Sequence, residues 1–123
     1  MLSTDRAIAL ARVAAAAVFV VFGAGKFTAY DSELASFKTY GLPWPEAFVY
    51  AIGALEIAGG LLLLTGRPLA VRLAALALAG DMVGAIAVSG VKEGEVISLT
   101  LAPALLVTML VLLRAGPGRI GRS

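Results

Sequence analysis

The sequence predicts an all-α fold: a bundle of four transmembrane helices, with a short interfacial helix between the first and second. Three observations carry that expectation. The 123 residues are 60% hydrophobic and only 15% charged, too little charge to cover a soluble domain of this size. Four apolar stretches, approximately residues 7–26, 47–65, 69–89 and 96–113, each run for about 18–21 residues, enough to cross a hydrocarbon core about 30 Å thick. Cations also segregate. With four spans, Arg6, Arg12, Arg67, Arg72, Arg114, Arg119 and Arg122 share one side, leaving Lys26, Lys38 and Lys92 on the other. Positive residues favour the cytoplasmic side, so the expected topology is N-in and C-in.

The first span carries Arg12 in its apolar run and ends near Lys26. Residues 1–25 share some features of a signal peptide, with Arg6 as a basic head and Gly23 and Gly25 at cleavage-like positions. Against that, the apolar run continues to Phe27 and Arg12 would fall inside the hydrophobic region, so a retained span is expected. Between the first and second spans, Tyr30, Leu34, Phe37 and Gly41 lie at helical spacing. Asp31 or Ser32 offers an N-cap, Gly41 a C′ position and Pro43 a stop, the pattern of a short amphipathic helix in the outer interface. Pro45 then suits the first turn of the second span, and Glu46 the positive end of its dipole.

Gly66-Arg67-Pro68 is short enough to make the second and third spans an antiparallel hairpin. Gly90 to Glu95 forms a short polar loop, and Pro103 interrupts the fourth span, freeing a carbonyl near Leu99 that Thr100 is placed to satisfy. Residues 1–115 are thus expected to form one membrane domain. Residues 116–123 are a basic flexible tail suited to anionic headgroups, with too little charge for nucleic acid.

The chemistry-bearing candidates are the costly ones. A carboxylate at the middle of a span costs roughly 2.5–3.5 kcal/mol on insertion scales, which makes Glu56 and Asp81 functional candidates by default. At about 1.5 Å per residue, Arg12 lies roughly 9 Å from the arginine-rich side, Glu56 about 15 Å and Asp81 about 18 Å. Arg12 and Glu56 are therefore expected within pairing distance if their helices face one another. That pair has two readings: an ion pair that fixes helix register, or a polar site that binds or protonates a ligand. Two carboxylates at similar depth repel, which favours keeping one of Glu56 and Asp81 neutral; a proton-sharing pair would suit quinone chemistry or proton passage, and the alternative is that Asp81 only hydrogen-bonds to a neighbouring backbone. Lys26, near the outer end of its helix, is expected to snorkel to water, within reach of a ligand or of Asp31. Gly53, Glu56 and Gly60 share one face of the second span, and Gly80 to Gly84 forms a GxxxG pattern around Asp81.

All nine aromatics fall between Phe19 and Tyr50 and cluster toward the outer side. They form half of an aromatic belt, or a rim of Tyr40, Trp44 and Phe48 over the mouth of the bundle. The chain has neither Cys nor His. Thiol–disulfide exchange and cysteine-ligated iron–sulfur clusters are excluded, and the commonest transition-metal ligand is missing, so no metal site is expected. Any redox role would need an organic cofactor, not covalently attached, or a partner subunit. A self-contained enzyme is disfavoured. Gly23-x-Gly25 follows no strand, which rules out a dinucleotide motif.

Several segments together resemble the DoxX and DoxX-like family of small four-helix membrane proteins. They are Arg12, the run Phe22-Gly23-Ala24-Gly25-Lys26-Phe27, Gly41-Leu42-Pro43, the run Gly53-Ala54-Leu55-Glu56-Ile57-Ala58-Gly59-Gly60-Leu61-Leu62-Leu63, and an alanine-rich third span with Met82 and Ala85. Asp81 is not part of that pattern. The resemblance implies a four-helix membrane bundle, and, from some members, a link to quinone-dependent sulfur oxidation or to membrane complexes that handle oxidative stress. The leading expectation is a subunit or scaffold of a redox-linked complex, with a quinone as ligand, the lipid bilayer and redox-enzyme subunits as partners, and possible homo-oligomers. A quinone-binding oxidoreductase subunit and a small transporter or proton conductor are the alternatives.

Overall fold

A computed structural model describes residues 3–119, the side chains of Val91, Lys92 and Ile97 excepted. Five α-helices follow in order: α1 Thr4–Thr28, α2 Tyr30–Thr39, α3 Pro45–Leu64, α4 Pro68–Ala85 and α5 Val96–Ala115. Four of them, α1, α3, α4 with its extension, and α5, are long and apolar enough to cross a bilayer. The short α2 lies between the first two, as the periodicity of its residues predicts. The bundle carries Val21, Leu69, Leu73, Leu76 and Val96 on its outer surface, as expected where the solvent is lipid.

Local chemistry explains the boundaries. Ser3 caps α1 by accepting from the Arg6 amide. Pro45 stands in the first turn of α3 with Glu46, and Pro68 opens α4. Gly66, at φ +69°, turns the chain between α3 and α4 in a left-handed conformation that glycine adopts without strain. The start of α2 differs from expectation: its N-cap is Ala29 rather than Asp31 or Ser32, and no side chain caps it. The reason is continuity, since α1 ends at Thr28 and the Glu33 amide already bonds to the Ala29 carbonyl.

The third span departs from a plain α-helix. Beyond Ala85 it continues as a π-helical segment, Ile86–Lys92, so the polar loop before α5 shrinks. In α5, Thr100 donates to the Val96 carbonyl at 2.7 Å rather than serving Leu99 near Pro103, because the i−4 carbonyl is the one its hydroxyl reaches.

Helices α1 and α3 pack backbone to backbone. A Cβ on Gly23 would stand 2.7 Å from the Gly53 carbonyl oxygen, and one on Gly60 would stand 2.9 Å from that of Ala16. At the arginine-bearing end all four spans converge on a core that includes Phe19, Leu63, Leu78, Met109 and Leu112. Toward the opposite end the α4 residues nearest α3 shrink to Ala77, Gly80 and Gly84, and the space they would fill stays open.

Candidate functional site

That space is a cavity of about 820 Å³, within the range of roughly 300–1,000 Å³ usual for small-molecule sites. Every helix contributes to it. Phe22 and Lys26 come from α1, Phe37 and Tyr40 from α2, Phe48 and Glu56 from α3, Asp81 and Met82 from α4, and Ala102 and Leu105 from α5. Most of the wall is apolar, and its charged groups gather in one cluster apart from Glu95.

At the centre of the cluster, Lys26 Nζ donates to Glu56 Oε1 at 2.8 Å and lies 3.8 Å from Glu33 Oε1. Both partners of the shorter contact are buried, the lysine side chain 11% and the glutamate 4% exposed. Asp81 faces the same glutamate from α4. Its Oδ2 is buried with no hydrogen-bond partner among the described residues. A buried acceptor left unpaired costs roughly 1–3 kcal/mol, and a proton held between Asp81 and Glu56 would pair the two carboxyls. The arrangement holds one ammonium against three carboxyl groups.

Toward the loop end, the Tyr40 hydroxyl lies 2.9 and 3.0 Å from the two carboxylate oxygens of Glu95 and donates to that carboxylate. Burial, then the Glu95 carboxylate, pushes the phenol up to about 12. Ser89 and Ser98, both buried, share a hydrogen bond between the π-helical segment and α5. Tyr30 stacks on Tyr50 with ring centres 4.7 Å apart, fixing the start of α2 over α3.

The expected pairing of Arg12 with Glu56 does not form. Arg12 is buried, but its Nη1 donates to the Leu63 carbonyl and its Nε to that of Pro117 at 2.8 Å. Helix register is the cause. Gly23 lies against Gly53 and Ala16 against Gly60, which places Glu56 level with Val20, eight residues or about 12 Å along α1 from Arg12. Lys26 does not snorkel outward either; it turns inward to Glu56, with Glu33 of α2 beside it. Arg72, exposed, donates from Nε to the Leu113 carbonyl at 3.1 Å.

Of the aromatic rim, Tyr40 and Phe48 line the cavity. Trp44 is not part of the lining: it is 77% exposed, at φ +46°, immediately before α3. Glu33 and Glu95 belong to the site and were not singled out by the sequence. Their only signal was their place in the two segments that close the same end of the bundle.

The family model described as DoxX matches residues 7–90, more than half of the chain. The chain belongs to the DoxX family. The match spans α1 to α4 and ends inside the π-helical segment, so it includes Arg12, Lys26, Glu56 and Asp81 but not α5. No curated protein and no solved structure matches this DoxX chain. With its four apolar helices, this DoxX protein is an integral, multi-pass membrane protein in contact with the lipid bilayer.

Proposed function

We propose that this DoxX protein is a membrane subunit of a redox-linked complex that binds a quinone in the cavity between its helices. The observation that carries the reading is the cluster of Lys26, Glu56 and Asp81 set into an otherwise apolar wall. A quinone head group is flat and apolar apart from two carbonyl acceptors. Lys26 Nζ supplies a donor, Asp81 supplies a second when it carries a proton, and Phe22, Phe37 and Phe48 offer apolar surface.

A bound quinone would supply two-electron, two-proton carrier chemistry. The residues of the chain hold and orient it, exclude water and keep a proton between Glu56 and Asp81. Electrons would come from a partner subunit, since the chain lacks the cysteines and histidines that hold most metal centres. The distribution of arginines supports an orientation with both termini inside, and membership of the DoxX family fits a bacterial inner membrane.

Glu56→Gln tests the reading. The amide keeps an acceptor for Lys26, and Glu33 remains nearby, so folding should persist. Affinity for decylubiquinone in nanodiscs should fall by about tenfold, the effect of roughly 1.4 kcal/mol. Undiminished quinone binding by this variant, or none by the wild-type protein, removes the proposal. Proton passage through Glu56 and Asp81 is the second reading, favoured by the two carboxyls facing each other; it requires a pH-gradient flux in liposomes that the same substitution abolishes.

A further inference from the structure

We infer that the cavity opens sideways into the bilayer between α3 and α4, and that its ligand is a chain-bearing amphiphile which enters from the membrane with its chain lying against Gly80 and Gly84. The inference rests on the cavity being a ligand site and adds the route and the shape of the molecule that takes it.

The two faces of α4 beside α3 differ. On one, Leu78 is in contact with α3: a Cβ on Gly59 would stand 3.0 Å from its side chain. On the face that carries Gly80 and Gly84 there is no such contact. A Cβ added to Gly80 or to Gly84 would meet no atom within 4 Å, although both glycines line the cavity. Both are exposed, as is Ala77 on the same face, and Leu76 and Val83, exposed without lining the cavity, stand beside them on α4. A cavity rim of glycine next to lipid-facing side chains marks where the cavity meets lipid. Gly80 lies twelve residues from the start of α4, about 18 Å along its axis, which is acyl-chain depth in a core about 30 Å thick.

The flank between α1 and α5 also reaches the cavity, through the exposed Val21 and through Gly25, but there it is lined by the larger Phe22 and the buried Leu105. On the α3 side of the gap the wall is Ile52 and Leu55, apolar and half-buried. The gap is therefore apolar throughout, and the charged cluster begins only at Asp81 and Glu56. A polar solute would have no partner along this path. An amphiphile would satisfy both ends: a head group at Lys26, Glu56 and Asp81, and a chain left in the gap where lipid already reaches.

The chain's single tryptophan makes the test direct. In a Trp44→Phe background, Leu105→Trp places a reporter on the far wall of the cavity. Proteoliposomes of phosphatidylcholine brominated at mid-chain then show whether acyl chains reach it. Val83→Trp, on the lipid-facing side of α4, and Phe19→Trp, in the closed core, set the upper and lower limits. Quenching at Leu105→Trp is expected within a factor of about two of the lipid-facing limit, and Gly84→Leu or Gly80→Leu should lower it about threefold, since leucine fills an opening at acyl-chain depth. Both substitutions enter open space and exchange a poor helix former for a good one, so folding is not at risk.

Quenching no greater than at Phe19→Trp overturns the inference. So does a drop caused by Gly25→Leu, on the α1 flank, with none caused by Gly84→Leu or Gly80→Leu. The readout involves no quinone. Bromolipid quenching without quinone binding therefore defeats only the functional proposal, and quinone binding without quenching defeats only the lateral route.

Discussion

At one end of the bundle a buried guanidinium is surrounded by backbone carbonyls; at the other a buried ammonium is surrounded by carboxylates. Arg12 spans Leu63 and Pro117, joining the end of α3 to the segment after α5, and its partners are neutral. Lys26 sits among Glu33 and Glu56, with Asp81 beyond, and its partners outnumber it. The first arrangement is complete within the protein: a carbonyl at the end of α3 and one in the segment after α5 both acquire a donor. The second is not closed off, because one ammonium meets three carboxyl groups on the wall of a cavity. Buried charge in a membrane is costly in both places, yet only the second leaves something for another molecule to do.

The comparison breaks most sharply at Arg12. Arg12→Leu should destabilise the fold by about 3–5 kcal/mol, since it strips two carbonyls of their donor and removes a buried guanidinium. A thermal-unfolding midpoint in mild detergent measures this, and any protein that still folds should bind ligand normally. Packing between α1 and α3 comes next. Gly23→Ala forces a methyl against the Gly53 carbonyl and the Ile57 amide, atoms that cannot move aside, at a cost of about 1–3 kcal/mol on the same assay.

Asp81→Leu should have the opposite sign at the cavity end. Removing an unsatisfied oxygen and adding apolar surface should leave stability unchanged or raise it by about 1 kcal/mol, while ligand binding is lost. A fall in stability as large as that of Arg12→Leu would make both ends structural. The smallest effect concerns Tyr40. Its folded value of about 12 lies above its ordinary one, so its contribution to stability is complete below pH 10 and is lost as pH rises through the folded value. Absorbance of tyrosinate near 295 nm should show this phenol ionising above the ordinary tyrosine range, and Glu95→Gln should bring it down.

The four spans were legible because lipid demands long apolar runs: the expected ends differ from the observed α1, α3 and α5 by about two residues, the usual uncertainty of helix boundaries. The interfacial helix was legible from Tyr30, Leu34 and Phe37, although its start was not, because capping residues mattered less than near-continuity with α1. Glu56 and Asp81 could be found from their depth alone. Their partner could not. Opposite charges in adjacent helices suggest a pair, but register decides which pair forms, and register here is set by Gly23, Gly53 and Gly60, whose contacts a sequence does not rank. The inward turn of Lys26 depends on α2 bringing Glu33 beside it, a tertiary fact. The π-helical stretch was invisible for a related reason: nothing in Ile86 to Lys92 forbids an ordinary helix.

That stretch carries a consequence for how the chain tolerates length change. Bonding from residue i to i+5 accommodates roughly one residue more than an α-turn over the same rise, so the segment behaves as an insertion absorbed into a helix. Excising one residue there would let an α-turn re-form without shortening the span appreciably. Placing the same deletion in α4 proper would instead rotate everything after it by about 100° and carry Asp81 away from Glu56 if it fell before that residue. The π turn is thus the position in this span where a one-residue gap does least harm to the residues that precede it, and the likeness to the family model ends within it, at residue 90.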